Sequence, residues 1–185
     1  MKICVVGSNG QLGSELFFLK NMDNHWTFMP FGKLNITERE KLLNFFGQNK
    51  FDFLINCSAY TAVDKAEDDK EGAFAVNEFG VKNLTDGCKI HDTKLIHIST
   101  DYVFDGVDPN GYDENSITNP LSIYGKSKRA GEIIIENSVI KSIIIRTSWL
   151  YSTYGNNFVK TMLKLSKNNK SIGVVTDQIG SPTYA

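Results

Sequence analysis

The sequence predicts an α/β fold in which helices cover both faces of a doubly wound parallel sheet. Two observations predict it. Short apolar runs alternate with helix-length segments along the 185 residues, and the first run leads directly into a glycine-rich turn. Parallel strands need long crossover connections, and helices in those crossovers bury both faces of the sheet. With 41% hydrophobic residues, the chain can bury a sizeable core.

The predicted strands and helices alternate in order. Six apolar runs have the length of buried strands: residues 2–6, 26–29, 53–56, 94–98, 142–146 and 171–175. Five segments between them are predicted as helices: residues 11–21, 37–48, 71–91, 121–137 and 157–169. The second helix starts with Thr37-Glu-Arg-Glu40, which predicts a capping box. In that motif the hydroxyl of Thr37 bonds a free amide and Glu40 reaches back to the backbone.

The turn after the first strand reads Gly7-Ser-Asn-Gly-Gln-Leu-Gly13 and leads into a helix. Glycines permit a tight turn and a close approach of the backbone to a ligand. The start of the helix directs unpaired amides and a positive dipole end at a pyrophosphate. We therefore predict a Rossmann-like dinucleotide site held by Gly7, Asn9, Gly10, Gln11, Leu12 and Gly13. The alternative is a structural turn in a crossover unit.

The loop after the second strand bears on the choice of cofactor. An acidic residue usually holds the adenosine ribose of NAD there, yet residues 29–35 contain none. Lys33 could instead meet a 2'-phosphate, so we predict that NADPH is preferred and that NADH is an alternative cofactor. A solvated loop lysine is the competing interpretation.

The domain organisation follows from the position of these motifs. Residues 1–150 are predicted to form the dinucleotide-binding domain. Residues 151–185 would supply the last helix and strand of that core and the start of a second lobe. No further element follows residues 180–185, so we expect a substrate lobe that is largely missing from this chain. The polar loop 105–119 should border the ligand site, because ligands lie beyond the carboxyl ends of parallel strands.

Charge, cysteine and histidine content exclude several functions. With 20 basic and 21 acidic residues the formal net charge is −1, so nothing attracts nucleic acid or an anionic membrane, and a small-molecule partner is expected. The apolar runs are too short to span a membrane and no signal sequence precedes the first strand, which indicates a cytoplasmic protein. Three cysteines without a close pair fit a reducing compartment. Three histidines show no metal-ligand spacing.

The segment Tyr124-Gly-Lys-Ser-Lys128 places a tyrosine and a lysine four residues apart. We predict that these two side chains are catalytic. Positions four apart share one helix face, so the phenol and the ammonium can reach one pocket. There the cation would lower the pKa of Tyr124 toward the working range of a general acid. Together with the hydroxyl of Thr100, these groups match ketone reduction, in which both hydroxyls bond the carbonyl oxygen and Tyr124 donates a proton. The alternative is a solvated basic face shared with Lys126 and Arg129.

Five further blocks carry a resemblance to a known family. In chain order they are Asn56-Cys-Ser-Ala-Tyr-Thr-Ala-Val-Asp-Lys-Ala-Glu67, Ser99-Thr-Asp-Tyr-Val-Phe-Asp-Gly106, Arg146-Thr-Ser-Trp-Leu-Tyr151, Gly155-Asn-Asn-Phe158 and Asp177-Gln-Ile-Gly-Ser-Pro-Thr183. With them the chain resembles the extended short-chain dehydrogenase/reductase superfamily, and within it the dTDP-4-dehydrorhamnose reductases, almost from end to end. The resemblance implies a nucleotide-sugar substrate. It also implies NADPH-dependent reduction of the 4-keto group of dTDP-4-dehydro-6-deoxy-L-mannose to dTDP-L-rhamnose.

The same resemblance implies roles for individual residues. The catalytic set would be Thr100, Tyr124 and Lys128, with Asp101 assisting. The cofactor would also contact Ala59, Tyr60, Tyr124 and Lys128. Trp149 would face the sugar or else pack at a strand end, and the nucleotide part of the substrate would contact Asn157, Gln178 and Thr183. Some members bind magnesium at a dimer contact through acids beyond residue 185. Magnesium and a homodimer are therefore expectations for a full-length protein, and no metal ligand is assigned here.

Other functions remain open. Related nucleotide-sugar dehydratases carry a glutamate two residues after the threonine, where it serves in water elimination, whereas this chain has Tyr102. This favours reduction over dehydration, and an epimerase is disfavoured because its serine-rich block is missing. A non-catalytic regulatory subunit that binds NADP is the third alternative, against which the intact Thr100, Tyr124 and Lys128 count. Asn35 stands where the family commonly has an aspartate near the adenine, which leaves the choice between NADPH and NADH open.

Overall fold

The sheet has five parallel strands in the order β2-β1-β3-β4-β5. The computed structural model describes residues 1–185. The strands are β1 Lys2–Val6, β2 His25–Met29, β3 Phe53–Asn56, β4 Lys94–Thr100 and β5 Ser142–Thr147. This is a common order of doubly wound sheets, in which the ligand crevice lies where the order reverses, here between β1 and β3. The predicted Rossmann-like α/β fold is confirmed.

Seven α-helices connect and flank the strands. They are α1 Gln11–Leu19, α2 Arg39–Gln48, α3 Val63–Asp68, α4 Lys70–Phe74, α5 Val81–Ile90, α6 Ile123–Glu136 and α7 Phe158–Ser166. A π-helical turn, Ala75–Gly80, joins α4 to α5, and a 3-10 turn, Asp101–Val103, follows β4. None of the helices combines the length and the hydrophobicity that crossing a membrane requires.

The main core lies between the sheet and helices α2, α5 and α6. Its fully or almost fully buried members include Leu42, Phe46, Leu54, Leu84, Cys88, Leu95 and Ile135. Each such large apolar side chain contributes on the order of 1.5–3 kcal/mol when it leaves water. The core therefore fixes α6, the helix that carries Tyr124, against the sheet. By contrast, β5 is an edge strand on which Ile143 and Ile145 are exposed.

The strand register brings the functional segments to one edge of the sheet. Val6 pairs with Asn56, and Asn56 pairs with His97. The turns and side chains that follow β1, β3 and β4 therefore emerge side by side at the carboxyl ends of the strands. This is where ligands bind in open parallel sheets.

The predicted strand at 171–175 is wrong. These residues form no strand, and Val174 and Val175 are exposed. A second small sheet instead pairs β6, Leu150–Tyr151, with β7, Thr183–Tyr184. The local preference of valine and isoleucine for strands did not decide the structure, because a strand also needs a partner and a face to bury.

The predicted capping box is also wrong. Helix α2 starts at Arg39, and no side chain caps it. The hydroxyl and the amide of Thr37 both donate to Oδ1 of Asn35, at 2.9 and 3.0 Å. Asparagine side chains compete in this way for nearby backbone donors. The predicted helix 71–91 is interrupted by the π-helical turn, and the remaining helices differ from the predicted bounds by up to three residues.

The segment 151–185 docks on α1. Glu15, a buried side chain of α1, accepts hydrogen bonds from the hydroxyls of Ser152 at 2.7 Å and Tyr184 at 2.9 Å. Gln11, at the start of the same helix, accepts from Nδ2 of Asn157 at 2.9 Å. Polar contacts between α1 and the last segment therefore hold the end of this chain beside the glycine-rich turn.

Candidate active site

The glycine-rich turn is built as a cradle for an anion. Gly7 has φ +70°, and a Cβ there would lie 2.6 Å from the backbone nitrogen of Ser58. The turn closes with a 3.0 Å bond from the Gly10 amide to the Gly7 carbonyl. Helix α1 then starts without a side-chain cap. Its first amides are therefore available to an anionic ligand, which the helix dipole also favours.

A cavity of about 310 Å³ opens beside this turn. Its lining includes five of the predicted cofactor residues: Gly7, Asn9, Gly10, Ala59 and Tyr60. Phe31 and Asn35 line it from the loop after β2. The cavity thus lies at the switch point between β1 and β3, and its glycine cradle fits a dinucleotide.

Five predicted cofactor residues do not line this cavity: Gln11, Leu12, Gly13, Tyr124 and Lys128. Gln11 instead bonds Asn157 and, through Nε2, the carbonyl of Leu150 at 3.5 Å. Lys33 does not line the cavity either, and its side chain is exposed on the loop between Phe31 and Asn35. Its predicted contact with a 2'-phosphate stays a prediction.

Cys57 also lines the cavity. Burial raises the pKa of its thiol to about 12. Because the thiolate is the reactive form, Cys57 supplies no nucleophile at neutral pH.

Tyr124 and Lys128 are both buried on α6, with 8% and 2% of their surfaces exposed. The hydroxyl of Ser122 caps this helix by accepting the Gly125 amide at 3.0 Å. Gly125 permits the close approach of α6 to the 3-10 turn, since a Cβ there would lie 2.2 Å from the carbonyl oxygen of Tyr102. The alternative of a solvated basic face for Lys128 is therefore wrong.

Thr100, at the end of β4, lies beside the phenol of Tyr124. Its hydroxyl donates to Oδ1 of Asp101 at 3.1 Å and accepts the amide of Tyr102 at 3.3 Å. Burial raises the pKa of Asp101, and the bond from Thr100 opposes that shift. Thr100 thus connects Asp101 with the phenol of Tyr124.

The expected lowering of the Tyr124 pKa is wrong for this structure. Burial raises the pKa of Tyr124 above its ordinary value, a hydrogen bond with Thr100 opposes the rise, and the charge of Asp101 adds to it. Lys128 does not contribute to this shift, and its ammonium donates to the carbonyl oxygen of Ile98 at 2.7 Å. Tyr124 is therefore protonated at neutral pH, the form that a proton donor needs.

Asn77 is a site residue that sequence reasoning missed. It lies buried in the π-helical turn, accepts the Tyr60 amide at 2.9 Å and donates to the Tyr60 carbonyl at 3.1 Å. Its Nδ2 also donates to the hydroxyl of Ser127 at 2.9 Å, which in turn donates to the Tyr124 carbonyl at 2.8 Å. One side chain thus joins the cavity wall to α6. The sequence offered one indication of a special role for Asn77, a polar amide directly after the apolar residues Phe74, Ala75 and Val76.

The predicted substrate residues lie in or near the last segment. Trp149 has φ +48°, an uncommon conformation for a bulky residue, and its ring packs 5.7 Å from that of Phe158. Asn157 caps α7 by accepting the Lys160 amide at 3.0 Å. Gln178 and Thr183 are exposed. None of the four hydrogen-bonds to the catalytic candidates, and their roles stay predictions.

No group of three or more histidine, cysteine, aspartate or glutamate side chains lies together as a metal site would require. The acids on which the magnesium expectation depends lie beyond residue 185, and no residue of this chain is assigned as a magnesium ligand.

The glycine cradle at the switch point, and the buried tyrosine and lysine on α6 at the same sheet edge, define a class of protein. They make this chain a Rossmann-like protein of the short-chain dehydrogenase/reductase type. It belongs to the family described as RmlD substrate binding domain, whose model matches residues 1–185.

Individual relatives and solved structures indicate the same family. The chain is 43% identical to the dTDP-4-dehydrorhamnose reductase of Aggregatibacter actinomycetemcomitans, over 100% of this chain and 63% of the relative. A crystal structure of dTDP-4-dehydrorhamnose reductase from Bacillus anthracis in complex with NADP is 42% identical. Its TM-score is 0.96, and the match covers 99% of this chain and 66% of that one. A dTDP-4-dehydrorhamnose reductase from Clostridium acetobutylicum is likewise 42% identical with a TM-score of 0.96, over 100% of this chain and 66% of that one. The chain thus spans less than two thirds of the length of these relatives.

Proposed function

We propose that the protein is an NADPH-dependent nucleotide-sugar reductase. Its reaction would be the reduction of the 4-keto group of dTDP-4-dehydro-6-deoxy-L-mannose to dTDP-L-rhamnose. One observation carries the proposal: Thr100, Tyr124 and Lys128 are buried together at the sheet edge that also holds the glycine cradle. The names of the relatives support the substrate, and the NADP in the structure from Bacillus anthracis supports the cofactor.

The cofactor would lie along the carboxyl edge of the sheet. In this proposal the free amides at the start of α1 and the turn at Gly7 and Gly10 hold its pyrophosphate, and Ala59 and Tyr60 form the opposite wall. Lys33 would meet the 2'-phosphate from the neighbouring loop. When bound, the cofactor supplies the hydride, and the protein supplies binding, orientation and proton transfer.

The protein's own groups divide the remaining work. The hydroxyls of Thr100 and Tyr124 would both donate to the keto oxygen and so stabilise the charge that develops on it. Tyr124 would then transfer the proton of its Oη to that oxygen, and burial keeps this proton in place at neutral pH. Asp101 orients the hydroxyl of Thr100 by accepting its hydrogen bond before substrate binds.

The substrate side of the proposal rests on the segment after β5. We propose that residues 1–150 form the cofactor domain and that 151–185 begin the substrate lobe. The strained backbone of Trp149 supports a ligand role for its ring, because strain of this kind is concentrated at functional sites. Asn157, Gln178 and Thr183 would approach the nucleotide from the same segment.

A reduction assay tests the proposal. The full-length protein is mixed with the keto sugar nucleotide and NADPH, and the loss of NADPH absorbance is followed. Tyr124→Phe removes only the proton donor, so we expect kcat to fall on the order of 100-fold or more, with an unchanged unfolding temperature. Tyr154→Phe is the matched control and should retain full activity, because the ring of Tyr154 stacks on Phe18 and its phenol is not part of the proposed catalytic group.

Two results would reject parts of the proposal. Equal rates for the wild type and Tyr124→Phe would remove the catalytic assignment. A wild-type protein that binds NADPH tightly but never oxidises it in the presence of the keto sugar would point to the non-catalytic regulatory alternative.

A further inference from the structure

Glu132 is a fully buried carboxylate one helical turn beyond Lys128. None of its surface is exposed. Arg146 on β5 holds it with two bonds, from Nε at 3.0 Å and from the terminal Nη2 at 2.8 Å. Arg129 adds a third at 3.2 Å. Tyr124, Lys128 and Glu132 are spaced four residues apart, so they share one face of α6.

Lys128 has little else to keep it charged. An ammonium has three N–H donors, and the structure gives this one a single acceptor, the carbonyl of Ile98 at 2.7 Å. Burial lowers the pKa of Lys128 to about 8, and the negative charge of Glu132 opposes that shift. Without Glu132, a buried lysine in this position would tend to lose its proton near neutral pH.

The other ionisable groups around Lys128 do not replace this carboxylate. His97 on β4 is held neutral, because burial and the charge of Lys128 both lower its pKa. Tyr124 on α6 is protonated. Arg129 and Arg146 are cations. Asp101 and Tyr102, on the 3-10 turn, raise the pKa of the Tyr124 phenol.

Stability alone does not explain the ion pair of Glu132 with Arg146. Burying two charges costs solvation energy, and a well-packed apolar pair often serves a fold as well or better. A carboxylate at this position has an electrostatic use, because it pairs with two arginines and is one helical turn from the catalytic lysine candidate.

We propose that Glu132 is a positioning residue, whose carboxylate, clamped by Arg146, keeps Lys128 in its ammonium form one turn from Tyr124. Its importance for catalysis rests on the proposed reductase function. Its effect on the charge of Lys128 does not depend on that function.

A direct titration of Lys128 tests this charge effect without substrate or cofactor. Lysine is labelled with ¹³C at Cε, and the signal missing from Lys128→Met is followed by NMR as the pH is raised. The wild-type midpoint should lie near pH 8. Glu132→Gln should move it about one pH unit lower, as expected when a nearby opposite charge is removed. Glu132→Asp, which keeps the charge, should move it less.

Glu136→Gln is the matched control. Glu136 lies one turn further along α6 and pairs with Arg129, but it does not act on Lys128. Its removal should leave the midpoint unchanged. If Glu132→Gln does not fold because the partly buried Arg146 is left unpaired, Glu132→Asp becomes the deciding variant. It keeps a carboxylate for Arg146 but withdraws it from Lys128, so its midpoint should still lie below that of the wild type.

Activity supplies a second measurement. For Glu132→Gln we expect kcat to fall about fivefold at pH 8, because the protonated fraction of Lys128 would fall from about one half to about one tenth, and to change little at pH 6. A purely structural role would instead lower kcat equally at both values, together with the unfolding temperature. An unchanged NMR midpoint in Glu132→Gln would overturn the proposal. If the wild type lacks reductase activity but the midpoint shifts, the proposed function fails while the charge effect of Glu132 stands.

Discussion

Of the two glycines that line the cavity, Gly7 leaves less room for a side chain than Gly10. Its φ of +70° favours glycine, and its missing Cβ leaves room for Ser58 on the turn after β3. Two separate constraints, one conformational and one steric, therefore act at one position. A glycine at this position of the motif indicates both constraints, because only glycine meets either of them without strain.

We predict that Gly7→Ala lowers the free energy of unfolding by about 2 kcal/mol or more, because the new Cβ meets Ser58 in a strained conformation. NADPH affinity should fall by more than tenfold. Gly32→Ala is the control, since a Cβ there meets nothing within 4 Å. Urea unfolding and fluorescence titration measure both effects. Equal stabilities for the two variants would refute the steric argument.

Some residues have properties that follow from their near neighbours in the chain, and others depend on contacts with distant elements. The spacing of Tyr124 and Lys128 on one helix face is a local property and was predicted correctly. The direction of the Tyr124 pKa shift was not, because it depends on burial and on Asp101. Asn77 and Glu132 were missed for the same reason. Their partners lie on other elements, and a single sequence does not show those contacts.

At the scale of elements, α6 is the part on which the proposed chemistry depends. Ser122 caps its start, core residues such as Ile135 bury one face, and Arg146 ties its end to β5. Helix formation and its approximate bounds follow from local sequence. Its close approach to the 3-10 turn and the π-helical turn follows from packing.

The contact between α2 and α5 gives a pH-dependent prediction. Burial would raise the pKa of Asp86, but hydrogen bonds from Arg39, Lys82 and Lys89 outweigh it and lower the pKa to about 2. A lowered carboxylate pKa stabilises the folded state above about pH 4, and that contribution is lost as the pH falls toward 2.

Asp86→Asn should therefore lower the free energy of unfolding by about 1 kcal/mol at pH 7, a value reduced for solvent screening. The difference from wild type should disappear near pH 2. Asp68→Asn, at an exposed position with no ion pair, is the control. Chemical denaturation at several pH values measures the difference. A constant difference from pH 7 to pH 2 would show that the charges of this cluster do not stabilise the fold.

For the whole molecule, the crevice between β1 and β3 links cofactor binding to global stability. A ligand that binds only the folded state stabilises it by mass action. The cavity is formed by turns that follow different strands, so binding opposes separation of those strands and not only local movement.

We predict that NADPH at 100 times its Kd stabilises the protein by about 2.7 kcal/mol, which corresponds to a rise of roughly 5–10 °C in Tm for a chain of this size. NADH at the same concentration should give a smaller rise. Lys33→Ala should reduce the effect of NADPH to that of NADH, while Lys50→Ala, at another exposed lysine, should not. Differential scanning fluorimetry measures these shifts. An unchanged NADPH effect in Lys33→Ala would make Lys33 a bystander.

Three features can be predicted from the amino-acid sequence alone: the alternation of strands and helices, the glycine turn after β1 and the shared helix face of Tyr124 and Lys128. These features depend on contacts between near neighbours in the chain. Three other features appear only in the folded chain: residues 171–175 form no strand, Asn77 joins the cavity wall to α6, and Glu132 lies buried against Arg146, one helical turn from Lys128. Strand pairing, burial and the resulting pKa shifts depend on residues far apart in sequence, and the folded chain alone brings them together.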